Sequence, residues 1–182
     1  MYRCMVQAEN KRWKLEILDS SNNDTQQTLD PAVLNSDWSA EERILWADAV
    51  IVVYSITDRK SFLAAQHWLH MVRKIKAEVP APVILLGNKG DLEDFRQVCV
   101  TAGAKTATQF ACLFSELSAA ESAQQVIEAF ESLIREAQLH QYYHPKIFAR
   151  CKRPNIITMT KLIIALFGKS PKVKRRRPFL SL

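Results

Sequence analysis

Three polar side chains in the middle of the chain have the types and spacing that recognise a purine base. Asn88, Lys89 and Asp91 follow an apolar run and form the pattern Asn-Lys-x-Asp. An aspartate in such a loop can accept two hydrogen bonds from the N1–H and the exocyclic amine of guanine. Adenine offers no such pair and would leave the carboxylate unpaired. The asparagine can bond the base edge and brace the loop, while the lysine stem lies across the ring. The pattern predicts a guanine-binding loop.

The element that carries this loop is a predicted buried strand. Val83 to Leu86 are four hydrophobic residues that end at Gly87, which is typical of a strand buried on both faces. Residues that follow such a strand lie at its carboxyl end, where open α/β sheets bind their ligands. A surface turn closed by Asn88 and Asp91 is the alternative interpretation, because both residue types favour turns.

A second apolar stretch, Cys112–Leu117, ends in the small residues Ser118 and Ala119 before a helical stretch. A strand is expected here too, and its loop would reach the same edge of a parallel sheet. Ser118 and Glu121 also have the spacing of a capping box for the next helix. The two interpretations are compatible with each other.

Hydrophobic periodicity predicts the other elements. Alternation predicts two paired strands at the start of the chain, and a capping box formed by Ser39 and Glu42 opens a short helix. A buried strand and two amphipathic helices with core-facing residues follow. The predicted strands are Tyr2–Gln7, Trp13–Ile17 and Ala49–Tyr54. One predicted helix runs through Trp46. The other two carry the core residues Phe62, Ala65, Leu69, Val72 and Ile75 in the first, and Val126, Phe130, Leu133 and Ala137 in the second.

The chain resembles the Ras-superfamily small GTPases over most of residues 2–140, and in particular the group of the Ras-related oestrogen-regulated growth inhibitor and its growth-inhibitor-like relatives. Besides the two loops, the resemblance is carried by Leu15–Asp19 and Trp46–Ile56. The stretches Glu116–Glu121 and Thr160–Lys169 are similar to the growth-inhibitor-like group. The fold class expected is α/β, a Ras-like G domain of the P-loop NTPase type.

The resemblance implies GTP and GDP as ligands with Mg²⁺, GTP hydrolysis, and protein effectors or regulators. It assigns guanine binding to Asn88, Lys89, Asp91, Ser118 and Ala119, with a backbone N–H of the Ser-Ala loop at guanine O6. Ala120 replaces the lysine that follows in the family, which affects packing more than recognition. Asp19 would be the magnesium contact, through water.

The phosphate-binding unit of such a domain is not found before Tyr2. A Ras-like domain begins with a strand, a G-x-x-x-x-G-K-[ST] loop and a helix, so this chain is expected to lack all three and to carry ligand only if they exist upstream. Gly168, Lys169 and Ser170 form half of such a motif, but Ile163 replaces the first glycine and Pro171 follows. We interpret that match as chance.

The missing first strand is expected to leave a slot in the sheet, because in the Ras fold it lies between the third and fourth strands. Each buried unsatisfied backbone group costs about 1–3 kcal/mol, against a total stability of about 5–15 kcal/mol. Three alternatives follow. The flanking strands close up, a partner fills the slot, or the 182 residues are a fragment of a longer product.

The hydrolytic motif D-x-x-G is also altered. Asp19 is followed by Ser20 and Ser21, Asn22 replaces the glycine, and Asn23 stands where the family has a water-orienting glutamine. A side chain at position 22 obstructs close backbone approach to a phosphate, and the shorter amide at 23 reaches less far. This chain alone is therefore expected to be a weak or inactive GTPase. Asp19 could equally be an ordinary strand-ending aspartate that caps a loop.

Charge divides the chain into a G domain over residues 1–145 and a basic tail over residues 146–182. The first part holds 14 of the 25 Lys and Arg residues and all 19 acids, a net charge of −5. The tail holds the other 11 basic residues and no acid, a net charge of +11. In the tail, apolar residues fall on one side of a helical wheel, which predicts a short amphipathic helix. They are Ile156, Met159, Ile163, Leu166 and Phe167.

The tail leaves several partners open. The run Lys172–Arg177 fits an anionic membrane surface or an importin, and a solvated tail docked on the core is the third alternative. The apolar stretch is too short to span a bilayer. Because no cysteine lies near the end, no prenyl anchor is expected. Scattered cysteines without a signal segment predict a cytoplasmic protein, with the nucleus or a membrane surface as further locations. The alternative function is a non-catalytic scaffold in signalling, targeted by this tail.

Overall fold

The computed structural model describes residues 2–8, 11–19, 39–143 and 159–166. Six strands and four helices lie in these ranges, together with a short 3-10 turn at Glu93–Phe95. The strands are β1 (Tyr2–Ala8), β2 (Lys11–Asp19), β3 (Ala49–Ser55), β4 (Val83–Asn88), β5 (Leu113–Glu116) and β6 (Met159–Leu166). The helices are α1 (Ala40–Trp46), α2 (Arg59–Ile75), α3 (Val100–Phe110) and α4 (Ala123–Tyr143).

The strands form one sheet in the order β1-β2-β6-β3-β4-β5. β1 pairs with β2 antiparallel, and every other neighbouring pair is parallel. The carboxyl ends of β2, β6, β3, β4 and β5 therefore face one edge of the sheet. The predicted α/β class is confirmed.

Two apolar layers cover the sheet, and β3 contributes to both because its alternate residues face opposite sides. Val50, Val52 and Tyr54 pack with α1, α2 and α3 on one face. Ala49 and Ile51 pack with α4 on the other. β3 thus reads as a continuous apolar run, as strands buried on both faces do.

Local signals predicted α1, α2 and α4, whereas α3 was not predicted. Ser39 Oγ accepts from the Glu42 N–H at 3.2 Å, and the Glu42 carboxylate accepts from the Ser39 N–H at 2.8 Å, so the predicted capping box is confirmed. The predicted core residues of α2 and α4 face the sheet: most are buried, and the remainder pack as half-buried side chains against the same layers. These are Phe62, Ala65, Leu69, Val72, Leu133 and Ala137 (buried), and Ile75, Val126 and Phe130 (half-buried).

The predicted amphipathic helix of the tail is wrong for the described residues 159–166, which form strand β6. Periodicity cannot separate a short helix from a short strand in an apolar run of this length. The β-branched Ile163 and Ile164 and the position between two parallel strands favour the extended form. The domain boundary at residue 145 stays a prediction, although β6 shares the sheet with the rest of the chain.

The predicted slot lies between β2 and β3, and β6 fills it. β6 pairs in parallel with β2 through Lys14–Asp19 and with β3 through Ala49–Val53. The flanking strands therefore do not close up, and the filling strand comes from the same chain rather than from a partner. This outcome was not among the predicted alternatives for closing the sheet. That the sequence belongs to a longer product stays a prediction.

Some predictions fall outside the described residues. They concern Asn22 and Asn23 of the altered D-x-x-G motif, Gly168–Ser170, and the basic run Lys172–Arg177. Among the helices that the structure describes, none combines the length and apolar character needed to cross a bilayer.

Candidate guanine-binding site

The site is built at the carboxyl ends of β4 and β5, where the two predicted loops meet. Asn88 is the last residue of β4 and pairs in register with Ser55 of β3. Its side-chain Oδ1 accepts from the Lys89 N–H at 2.7 Å and from the Ala119 N–H at 3.1 Å. One amide oxygen therefore closes its own loop and holds the neighbouring loop beside it.

A second side-chain contact joins the loops. Ser118 Oγ donates to Asp91 Oδ1 at 2.6 Å. The Ser118 residue is 5% exposed, whereas Asp91 is exposed. A hydrogen bond to a carboxylate is stronger than one between neutral groups, so this contact fixes the orientation of Asp91 while leaving the carboxylate at the surface.

Main-chain bonds bring the loops closer still. The Gly90 N–H donates to Leu117 O at 3.0 Å, and the Leu117 N–H donates to Gly87 O at 2.9 Å. A Cβ on Gly90 would stand 3.4 Å from the Leu117 main chain. Lys89 adopts a left-handed conformation with φ of 68°, a conformation that non-glycine residues seldom adopt and that concentrates at functional sites.

Sequence reasoning misplaced the cap of α4. The Glu121 N–H donates to Ser118 Oγ at 3.2 Å, but this turn precedes the helix, which begins at Ala123. Ser122 Oγ accepts from the Gln125 N–H at 3.2 Å, so Ser122 is the side chain that caps α4.

Gln125 is a residue that the prediction missed. Its side-chain Oε1 accepts from the Ser118 N–H at 3.2 Å and so holds the second loop from the helix side. Ser122 and Gln125 have the spacing of a capping box, but that spacing does not predict a bond from Gln125 to Ser118.

A partly buried polar brace, in which Arg96 joins Glu93 to Glu116, was also missed. Arg96 forms two hydrogen bonds to the Glu116 carboxylate at 2.8 and 3.0 Å, two bonds of 2.7 Å to Glu93, and one of 2.8 Å to Val98 O. These bonds to two carboxylates raise the pKa of Arg96 and lower that of Glu93. Sequence spacing gives no sign of an arginine that joins a 3-10 turn to the end of β5.

Tyr54 completes the brace from β3. Its hydroxyl lies 3.4 Å from Glu116 Oε1, and burial together with the negative Glu116 raises its pKa, so the phenol stays neutral. Two glycines make room for this ring end. A Cβ on Gly87 would stand 2.9 Å from the Tyr54 hydroxyl, and a Cβ on Gly103 would stand 2.6 Å from it.

Comparison with known proteins identifies the family of this chain. The Ras family pattern matches residues 1–139, more than half of the 182 residues. The chain belongs to the Ras family. The resemblance predicted from the loops and strands is thereby confirmed.

Individual Ras-family relatives cover most of the chain. Human "Ras-like protein family member 11A" is 31% identical over 179 residues, which is 96% of this chain and 72% of the relative. Human "Ras-related and estrogen-regulated growth inhibitor-like protein" is 33% identical over 178 residues, 94% of this chain and 80% of the relative. Zebrafish "Ras-like protein family member 12" is 37% identical over 145 residues, 79% of this chain and 54% of the relative. The chain therefore spans about half the length of the zebrafish protein.

Ras-family proteins in general bind a guanine nucleotide and Mg²⁺. The described residues of this chain fit the nucleotide base better than they fit the metal ion. At the guanine end, an exposed and oriented carboxylate stands beside a loop cross-linked by Asn88, which suits a base with adjacent donors. The Ala119 N–H is bound to Asn88 Oδ1, and the contact between a backbone N–H of the Ser-Ala loop and guanine O6 stays a prediction.

The magnesium contact is less well supported. Asp19 is the exposed last residue of β2 and is aligned with Ile164 of β6, on the same edge as the loops. Within the described ranges, no group of three or more His, Cys, Asp or Glu side chains is placed to hold a metal ion. Mg²⁺ requires about six oxygen ligands in octahedral geometry, so Asp19 alone does not form a site.

Proposed function

We propose that this Ras-family chain binds guanine nucleotides through the loops after β4 and β5, with Asn88, Lys89, Asp91, Ser118 and Ala119 as the base-binding residues. The observation that carries the proposal is the pair of side-chain bonds that lock the loops together, Asn88 Oδ1 to the Ala119 N–H at 3.1 Å and Ser118 Oγ to Asp91 Oδ1 at 2.6 Å. These bonds hold the Asp91 carboxylate in one orientation beside the Ala119 loop, as recognition of a single base requires.

The chemistry of discrimination rests on Asp91. Its carboxylate, held by Ser118 through one oxygen, presents acceptors to the N1–H and exocyclic amine of guanine. Adenine has an acceptor at N1 and would leave the carboxylate unpaired, at about 1–3 kcal/mol or more for a charged group. The chain is therefore expected to prefer GDP and GTP over the adenine nucleotides.

Affinity for the phosphates and the rate of hydrolysis are expected to be low in this chain. In the altered motif, the side chain of Asn22 obstructs the close approach of a phosphate to the backbone N–H, and Asn23 stands in place of the water-orienting glutamine that the family resemblance implies. Binding with Mg²⁺ at full strength, and hydrolysis, are proposed only for a product that contains the phosphate-binding unit.

The experiment is a change of base specificity. Asp91→Asn keeps an oxygen for the Ser118 hydroxyl but replaces one acceptor with a donor. We expect GDP binding to fall by about 10- to 100-fold and binding of xanthosine diphosphate, which carries an acceptor at that position, to increase. Fluorescent GDP at high protein concentration, displaced by GDP, ADP or xanthosine diphosphate, measures both.

The matched control is Asp94→Asn, which makes the same chemical change at an exposed aspartate of the neighbouring 3-10 turn. It should leave all three affinities unchanged. A wild-type chain that binds ADP as well as GDP, or an Asp91→Asn chain with unchanged base preference, would contradict the proposal.

A second candidate is a non-catalytic scaffold that keeps the Ras fold as a docking surface. It is favoured by the altered motif at residues 19–23 and by the charge contrast between residues 1–145 and 146–182. Capture of partners by the immobilised full chain with GDP, a GTP analogue or no nucleotide separates the two functions. Equal capture in all three states supports the scaffold, whereas dependence on the GTP analogue supports a nucleotide switch.

The basic tail is proposed to set the location of either function. A net charge of +11 in 37 residues favours an anionic membrane surface or an importin, with the protein otherwise cytoplasmic. Binding of the full chain to vesicles with and without phosphatidylserine, at rising salt, tests the membrane. Absence of binding at low salt would leave nuclear import as the proposal.

A further inference from the structure

Strand β6 connects the two parts of the sheet. In the described part of the chain, β2 pairs with β1 and β6, and β3 pairs with β6 and β4. All strand pairing between the β1–β2 hairpin and the three strands β3, β4 and β5 therefore passes through β6. If β6 leaves, the hairpin loses its ladder to the rest of the sheet, and both β2 and β3 become edges.

The pairings of β6 are among the most distant in the chain. Lys14 pairs with Met159, a separation of 145 positions, and Ala49 pairs with Leu162, a separation of 113. Contacts of such separation form slowly, because the chain must close a long loop before the contact stabilises it. During synthesis β6 is also the last of these strands to emerge, so the edges of β2 and β3 that pair with β6 stay unpaired until then.

The groove between those edges has defined chemistry. Its walls are parallel backbone ladders along Lys14–Asp19 and Ala49–Val53. The flanking side chains Leu15, Ala49 and Ile51 are at most 1% exposed. The groove fits an extended, uncharged, β-branched segment that runs parallel to both walls. The sequence Met-Thr-Lys-Leu-Ile-Ile-Ala-Leu of β6 meets this requirement, apart from one lysine.

A second copy of the chain carries the same segment. Fifteen residues separate the end of α4 at Tyr143 from the start of β6 at Met159. Such a connector can extend about 50 Å, far enough to carry β6 to a neighbouring molecule. Open strand edges recruit strands from other chains, and exchange of an identical element preserves every contact.

We propose that the groove between β2 and β3 is a strand-acceptor site, which β6 fills within one molecule and which the β6 of a second copy fills in a strand-exchanged dimer. Its ligand class is the extended apolar peptide, recognised through both backbone edges at once. The proposal does not depend on nucleotide binding.

The test refolds the full chain from denaturant at low and at high protein concentration and measures its mass by light scattering. We expect monomers at low concentration and a dimer fraction that rises with concentration. Tagged and untagged copies refolded together should form mixed dimers. A synthetic peptide with the sequence of residues 157–168, in large excess during refolding, should occupy the groove and reduce the dimer fraction at least about tenfold by mass action.

Two controls keep the result specific. A peptide of the same composition in scrambled order should leave the dimer fraction unchanged. Ile164→Pro, which removes a ladder N–H from the central strand, should abolish mixed dimers, whereas Val173→Pro outside β6 should not. Monomers at every concentration would overturn the proposal, as would dimers that the matching peptide and the scrambled peptide reduce equally.

Discussion

The two sides of the sheet are held together in different ways. The loop side consists of β4, β5 and the loops that follow them, and the hairpin side consists of β1 and β2. On the loop side, side chains form hydrogen bonds to the main chain and to each other. Asn88, Ser118 and Gln125 connect the two loops in this way. On the hairpin side, the backbone attachment is the ladder to β6, and the apolar side chains Leu15, Ile17 and Leu18 of β2 pack in the two layers.

The difference is clearest in two arginine–glutamate pairs. Arg96 and Glu116 on the loop side are 16% and 15% exposed, with a contact of 2.8 Å. On the hairpin side, Arg3 is 62% exposed and Glu16 is 10% exposed, with a contact of 3.0 Å. The loop side is fixed by polar side-chain contacts, most of them partly buried, while the hairpin side is held by the ladder to a distant strand and by apolar side chains of β2. The proposed binding site, which needs fixed geometry, accordingly lies on the loop side.

The largest expected effect comes from matched core truncations on the two sides. Leu85→Ala in β4 and Leu15→Ala in β2 each remove a side chain that is 0% exposed, and each should cost about 2–5 kcal/mol. Leu85→Ala should lower the stability of the whole sheet, whereas Leu15→Ala should speed amide exchange mainly in β1 and β2. Hydrogen exchange followed by mass spectrometry gives the distribution. Equal loss of protection from hydrogen exchange on both sides in the Leu15→Ala chain would contradict the difference between the two sides.

The arginine pairs give the next effect. Arg96→Met should leave Glu116 half-buried without its partner and lower the free energy of unfolding by about 2–3 kcal/mol. Arg3→Met removes an arginine that is 62% exposed and makes one contact with Glu16, where Arg96 makes five hydrogen bonds. Because water can take the place of an exposed guanidinium, this change should cost about 0–1 kcal/mol. Urea unfolding of both variants measures the difference, and similar values for the two would contradict the contrast in burial.

Two glycines sharpen the comparison, Gly90 in the loop after β4 and Gly103 of α3 beside the Tyr54 brace. A Cβ on Gly103 would lie 2.6 Å from Phe114 Cζ and from the Tyr54 hydroxyl, so Gly103→Ala should cost about 1–3 kcal/mol through overpacking. Gly90→Ala meets the Leu117 main chain at 3.4 Å and should cost less. Thermal unfolding ranks the two, and a greater loss for Gly90→Ala would show that the loop contact is tighter than the Tyr54 brace.

The smallest effect concerns two cysteines at opposite ends of α3. Hydrogen bonds from the Thr101 hydroxyl and the Ala102 N–H lower the pKa of the exposed Cys99 thiol. Burial raises the pKa of Cys112 to about 11. Cys112 lines a cavity of about 710 Å³ at the sheet edge remote from the loops.

Alkylation requires the thiolate, so Cys99 should react first at neutral pH, and the Cys112 rate should still climb between about pH 9 and 11. Mass spectrometry of iodoacetamide adducts across this range follows both sites in one sample. Faster labelling of Cys112 at neutral pH would mean that its end of α3 opens more readily than the helix start.

Sequence reasoning located the candidate site because its signals are local. The apolar run before Asn88 and the small residues after β5 predicted two loops at one sheet edge, and the structure places them in contact. It could not supply the partners of these residues. Gln125, Arg96 and Tyr54 reach the site from other elements, and no spacing rule connects them to residues 88–91 or 116–119.

The sequence by itself determined the α/β class, the strand that leads to Asn88, the capped helix after Ser39, and the apolar faces of α2 and α4. Each depends on residues within a few turns or one strand, where propensity and periodicity act. Only the tertiary structure decided that residues 159–166 form a central strand. An eight-residue segment with six apolar residues is compatible with helix or strand, and the choice was made by two backbone edges more than a hundred positions away, whose N–H and C=O groups require partners.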